Sequence, residues 1–218
     1  MKSVKSLIKK LLLLLTISTM PFLQSNLLAK GSVKLVGGTN LAFYSDDPES
    51  TEYVFGLDFR YDFGLLVGVP LNDLIELEVG AIYHQYRLKA TYTSGFFDGY
   101  VVYIDYQSVQ FPLLFRLNLG PVSLGAGGFY EINIGEVTAT DEYNGTTSTA
   151  TYSYDEVYMS TSNYGYMVAV GFRKKVSESF DIITDFRYRI ALGNVSTADG
   201  LTRTVKSFEL LLMASFKI

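Results

Sequence analysis

The sequence predicts an all-β protein, an eight-stranded antiparallel up-and-down transmembrane β-barrel with short periplasmic turns and longer outer loops. Three observations carry this. Apolar and polar residues alternate with period 2 over eight segments, which reach about 12 residues or more. One face of every segment is free of charge. The N-terminus reads as an export signal.

The signal comes first along the chain. Lys2, Lys5, Lys9 and Lys10 precede an apolar stretch, Leu11–Leu15 with Ile17, Met20, Phe22 and Leu23, and then polar Gln24-Ser25-Asn26. The stretch falls short of the ~20 residues that span a bilayer as a helix. Residues 1–29 are therefore expected to be a cleaved signal peptide and 30–218 the barrel domain. Removing four lysines and no acid takes the net charge from −4 to −8.

The uncharged faces follow in order. The first segment offers Val33, Leu35, Gly37, Thr39, Leu41 and Phe43. The second runs from Tyr53 through Phe59, Tyr61, Phe63 and Leu65 to Val67. The third has Ile75, Leu77, Val79, Ala81 and Tyr83, and the fourth runs from Val109 through Leu113 and Phe115 to Leu119. The fifth has Leu124, Ala126, Gly128, Tyr130, Ile132 and Ile134. The sixth runs from Tyr164 to Phe172, the seventh from Phe180 through Phe186 and Tyr188 to Leu192, and the eighth from Phe208 to Ile218. The opposite face holds eight acids, Asp58, Asp62, Glu76, Glu78, Glu131, Asp181, Asp185 and Glu209. It also holds seven bases, Lys34, Arg60, Arg116, Arg173, Arg187, Arg189 and Lys217.

A soluble β-sandwich could use such alternation, burying the apolar faces between two sheets. The membrane barrel is preferred for physical reasons. The segments exceed the usual ~5–6 residues of globular strands and cover the ~9–11 that cross a bilayer. A Lys or Arg in mid-bilayer costs about 2–4 kcal/mol, which explains eight uncharged faces. Closure removes the sheet edge that hydrocarbon cannot solvate.

Short turns at Leu71-Asn72-Asp73, Gly120-Pro121 and Ser177-Glu178-Ser179 alternate with longer polar connections near 45–52, 91–99, 137–163 and 194–202. Both ends of the mature chain then lie on the periplasmic side. Asn144-Gly145 signals a tight hairpin within 137–163. Such a turn pairs odd residues with even ones, which conflicts with the parity of the sixth segment. A bulge or break is expected between about 150 and 164.

An eight-stranded barrel is just wide enough for its side chains to fill it. Unpaired ions there cost several kcal/mol each. The near balance of charge therefore predicts a salt-bridged, hydrated plug with no open pore, of Asp58, Arg60, Asp62, Glu76, Glu78, Arg116, Glu131, Arg173, Asp185, Arg187, Arg189 and Glu209, the alternative being a polar lumen that simply holds water. The outer loops are acidic at Asp46, Asp47, Glu49, Glu52, Asp141, Glu142, Asp155 and Glu156. They read as solvated charges, with shared divalent cations as the less favoured alternative.

Composition removes several chemistries. With no Cys there is no disulfide framework, thiolate site or Cys nucleophile, and one His leaves no multi-His metal site. No cofactor and no metal is expected, and an acidic chain gives no reason for nucleic-acid binding. His84 points inward near the outer end of its strand. A catalytic role needs Ser and acid partners within hydrogen-bond reach, and no Ser stands out at that height. A hydrogen-bonded lumen histidine is the preferred reading. Gly125-Ala126-Gly127-Gly128 lacks the following helix of a phosphate loop and reads as strand glycines. Arg173-Lys174-Lys175 reads as an anchor beside a short turn.

The C-terminal run Phe208-Glu209-Leu210-Leu211-Leu212-Met213-Ala214-Ser215-Phe216-Lys217-Ile218 resembles the closing strand of the PorT-type (porin-like) outer-membrane β-barrel family. Here the last residue is Ile218 instead of an aromatic. Gln110-Phe111-Pro112-Leu113-Leu114-Phe115, Leu124-Gly125-Ala126-Gly127-Gly128 and Arg187-Tyr188-Arg189-Ile190-Ala191-Leu192 look like the family too. The resemblance implies the bacterial outer membrane and brings no catalytic residues.

The expectation is a non-enzymatic monomer with a structural or surface-interaction role through its outer loops. Its expected partners are outer-membrane lipids, the barrel-assembly machinery during insertion, and an extracellular partner the sequence does not identify. The alternatives are a narrow channel for small solutes or ions and, further off, a lipid-modifying enzyme.

Overall fold

The computed structural model describes residues 31–45, 53–56, 59–92, 99–157, 159–193 and 204–218. Ten strands are formed: β1 (Ser32–Ser45), β2 (Tyr53–Gly56), β3 (Phe59–Pro70), β4 (Ile75–Tyr92), β5 (Val101–Leu119), β6 (Val122–Tyr143), β7 (Thr146–Tyr152), β8 (Ser162–Lys175), β9 (Phe180–Ala191) and β10 (Thr204–Lys217). Eight of them close a barrel in the order β1-β3-β4-β5-β6-β8-β9-β10, every pair antiparallel. β10 closes back on β1, with Val33 opposite Phe216 and Leu41 opposite Phe208. The two remaining strands lie at the outer end, β2 on β4 and β7 on β6.

The uncharged faces point outward. Leu35, Phe63, Leu113, Phe115, Leu124, Val168, Phe172, Phe186 and Leu212 are all exposed, on seven different strands. Hydrocarbon accepts this surface because no backbone group is left unpaired in a closed ladder. Tyr marks the outer margin at Tyr61, Tyr83, Tyr130, Tyr164 and Tyr188, and Phe marks the inner one at Phe115, Phe172, Phe180 and Phe216. Amphipathic Tyr suits the headgroup side. Cross-strand rings pack along both margins, Phe63 on Tyr83 at 4.6 Å and Phe180 on Phe216 at 5.1 Å.

The membrane's outer edge is sharp. On β4 the outward residues change after Tyr83 to Gln85, Arg87 and Lys89. On β5 the change falls between Val109 and Gln107, and on β6 between Ile134 and Glu136. A bulge sits at this level. Gln107 pairs with Ile134 but Asp105 with Thr138, so β6 carries two extra residues, and Gly135 takes φ +77°. Above it β4, β5 and β6 continue as a sheet outside the bilayer.

β6 turns at Asn144-Gly145, whose φ values of +49° and +77° fit the hairpin turn that this dipeptide favours. The expected break follows. β7 stops at Tyr152, and β8 begins at Ser162, opposite outward-facing Ile132, so that Asn163 points inward beside Glu131. Residues 153–161 lie between them, with residue 158 outside the described set. The signal at 1–29, Asp58 and the loop acids Asp46 to Glu52 are outside it as well.

Candidate functional site

The lumen is filled by two polar clusters with apolar side chains packed among them. Nearest the short turns is an ionic layer. Glu78, fully buried, accepts from Lys34 Nζ at 2.6 Å, Arg116 Nε at 3.0 Å and Arg187 Nη2 at 2.7 Å. Arg116 also forks onto Asp185, at 2.9 and 2.5 Å, and Arg187 Nε reaches Asp185 at 2.7 Å. Lys34 further bonds Glu76 at 2.5 Å. Lys34, Arg116 and Arg187 thus meet Glu76, Glu78 and Asp185, and charge balances within six buried groups. That balance is what burial requires. At the rim, partly exposed Arg173 lies 3.8 Å from Glu76 and 4.0 Å from Asp181, and Lys217 lies 3.3 Å from Asp181.

Beside these groups, at overlapping heights, the lumen is apolar, which the charge count did not anticipate. Val36, Leu66, Ile82, Ile183, Leu211 and Met213 form one buried cluster. Leu114, Phe129, Met167 and Ala169 belong to a second that continues upward. Five of the large residues face a glycine across the ladder: Leu66 with Gly80, Ile82 with Gly64, Leu211 with Gly38, Leu114 with Gly127 and Phe129 with Gly165. A Cβ on Gly80 would stand 2.2 Å from the Leu65 carbonyl oxygen and 2.8 Å from Leu66 Cδ2. Small opposite large is how a narrow bore is filled.

The outer polar layer centres on Arg189. Its guanidinium donates to Glu131 at 2.5 Å, Glu209 at 2.8 Å and the Tyr86 hydroxyl at 2.6 Å, and it stacks 4.4 Å from the Phe129 centroid. His84 Nδ1 is 2.7 Å from Asp62, which also accepts from Asn40 Nδ2. Turning the Gln110 amide lets its oxygen accept from Arg189 at 2.8 and 3.1 Å. Its nitrogen then stands 3.3 Å from His84 Nε2. In this arrangement His84 Nδ1 faces Asp62 and Nε2 faces the Gln110 amide nitrogen.

One residue was missed. Ser108 lies directly across the ladder from His84, buried and at the same height, so a Ser does stand beside this histidine. Its hydroxyl bonds Glu131, while the free side of His84 meets Gln110 and Arg189. A serine, a histidine and an acid are brought together, but the serine proton is directed at a carboxylate.

Residues 153–157 and 159–161 cap the outer mouth. Tyr154 and Met159 are buried against Tyr86, Leu88, Tyr106, Val137 and Val205. The Tyr154 hydroxyl lies 3.2 Å from the carbonyl oxygens of both Gln107 and Ile134, beside the bulge. Burial pushes this phenol up to about 12. Ser153 N–H and hydroxyl bond Glu156 and hold its carboxyl below the usual range. The space under the cap, lined by Tyr86, Tyr106, Glu131, Asn133 and Met159, is about 10 Å³, that of a single water.

Arg60 is placed apart from the lumen set. β3 pairs with β4 only from Asp62 downward. Arg60 reaches Asp105 at 3.3 Å, which Arg87 holds at 2.7 and 2.8 Å. These groups line an outer-wall groove of about 360 Å³ with Gln85, Gln107 and Glu136. Among the described residues no cluster of three or more His, Cys, Asp or Glu could hold a metal.

A family model described as outer membrane protein beta-barrel domain matches residues 24–197. No curated protein matches the chain. Among solved structures, the outer membrane protein OprG of Pseudomonas aeruginosa is similar, with 14% identity and a TM-score of 0.50 over 87% of this chain and 96% of that one. Neisserial surface protein A has 16% identity and a TM-score of 0.41 over 86% and 97%. Ail, the attachment invasion locus protein of Yersinia pestis, has 17% identity and a TM-score of 0.38 over 86% and 99%. At such identities the likeness concerns the fold alone.

Proposed function

The chain belongs to the outer membrane protein beta-barrel domain family of the bacterial outer membrane, and from that premise we propose that it is a non-enzymatic barrel with a closed lumen that acts through its outer segments. The observation that carries this is the filling of the bore: a balanced ionic cluster, apolar clusters packed beside it and a cap that leaves room for about one water. An ion crossing the bore would have to displace side chains already salt-bridged or packed together. His84 is enclosed beneath the cap, and its neighbouring hydroxyl is engaged elsewhere, which supports the non-enzymatic reading. The finer PorT-type placement is part of this proposal and rests on the closing strand that ends Ser215-Phe216-Lys217-Ile218.

Reconstitution in planar bilayers tests the closed lumen. The expected record is the bare-bilayer baseline with no steady conductance. A large steady conductance would replace this proposal with the channel reading. Altered lipid A mass on expression, lost in His84→Ala, would instead point to an enzyme.

A further inference from the structure

The β6–β7 hairpin stands outside the bilayer and its geometry fixes which groups are free. In a hairpin closed by two residues, the flanking pair exchanges both hydrogen bonds, and every second pair does likewise. Tyr143 pairs with Thr146, Asp141 with Ser148, Ala139 with Ala150 and Val137 with Tyr152. Thr147, Thr149 and Thr151 therefore turn their N–H and C=O groups away from β6. Among the described residues β7 pairs with β6 alone, and every residue of it but Ala150 is exposed. It has no charge, no Pro and no bulge, the devices by which proteins normally blunt an edge strand.

We propose that this edge pairs antiparallel with β7 of a second copy of the chain on an apposed membrane. The inference rests on the reading of the outer segments as the interacting part. Pairing about Thr149 engages all seven residues. It sets Thr149 against Thr149, Thr147 against Thr151, Ser148 against Ala150 and Thr146 against Tyr152. The residues whose backbone groups are free are the ones that must bond, so hydrogen-bond phase and symmetry agree. Thr–Thr cross-strand pairs add favourably, and the edge brings no like charges together. The two-fold axis relating the strands is perpendicular to the sheet. It reverses the strand direction and with it the membrane normal, so the partner barrel points the opposite way. Two copies in one membrane cannot meet like this, whereas copies on facing membranes can.

The native chain has no Cys, so Thr149→Cys reports the pairing directly. Residues in a hydrogen-bonded antiparallel pair have Cα atoms ~5.5 Å apart, within disulfide range. In detergent, under mild oxidant, Thr149→Cys is expected to form dimers at least about tenfold faster than the control Asp155→Cys, at a position that is also exposed, a bias of ~1.4 kcal/mol. Vesicles carrying the native protein are expected to cluster, and Thr149→Lys to disperse them. Equal cross-linking at 149 and 155, or clustering unchanged by Thr149→Lys, overturns the pairing. Clustering that survives Thr149→Lys but is lost on deleting 138–151 overturns the edge pairing while keeping the arm as the interacting part. If the Thr149→Cys variant cross-links to an added extended peptide bearing a thiol but not to a second copy, the choice of occupant is overturned.

Discussion

Arg189→Met is expected to destabilise the barrel by about 3–5 kcal/mol, the largest effect of any single lumen substitution considered. Methionine keeps the apolar contact with Phe129 and much of the volume, so the loss reads the charge. Three buried acids, Asp62, Glu131 and Glu209, share the outer polar layer, and Arg189 is the cation that bonds two of them. Removing one partner leaves carboxylates desolvated without compensation. The urea midpoint of the folded band in lipid vesicles measures this. Adding Glu131→Gln and Glu209→Gln to Arg189→Met should restore most of the loss, because exchanging a whole buried network is far cheaper than breaking it. A loss below about 1 kcal/mol for Arg189→Met would mean the layer is wet, since screened pairs are worth no more than that.

Glu78→Gln is expected to cost about 3 kcal/mol. Glu78 is the shared acceptor of Lys34, Arg116 and Arg187, and glutamine offers them one neutral oxygen. The loss is smaller than at Arg189 because each cation keeps a second carboxylate, Glu76 for Lys34 and Asp185 for both arginines. Lys217→Gln, at the exposed rim, should cost under about 1 kcal/mol. Glu78→Gln should leave the bilayer baseline unchanged, because Leu66, Ile82, Leu211 and Met213 still fill the bore beside it. A variant that unfolds no more easily than Lys217→Gln would show that the ionic layer is not dry.

The outward half of the barrel was legible because hydrocarbon imposes a strict rule. One parity must carry no charge, and alternation from Val33 to Ile218 displays it. The ionic layer was legible for the converse reason. The apolar part of the filling was not, because Leu66 or Ile82 on the inward parity looks like any other strand aliphatic. A signal was present in Gly64-Leu65-Leu66 and Gly80-Ala81-Ile82, where a glycine and a large residue share one parity two positions apart. Antiparallel pairing then sets each against the other's glycine.

Ser108 beside His84 was hidden for a different reason. β4 and β5 are joined by a long loop, and only a tight turn lets cross-strand partners be counted along the chain. The break between β7 and β8 was readable because two-residue turn parity conflicted with inward parity. That Tyr154 would plug the mouth was not, since it is one Tyr among several in a polar segment.

The central claim is that alternate residues face hydrocarbon and an enclosed interior. Single cysteines along β5, at Gln110, Phe111, Leu113, Leu114 and Phe115, carry spin labels into a chain that otherwise has none. In lipid vesicles, oxygen accessibility should be high at 111, 113 and 115 and low at 110 and 114, with water-soluble relaxants excluded from all five. Accessibility without that alternation, or water-soluble relaxant reaching 113 and 115, would contradict the account.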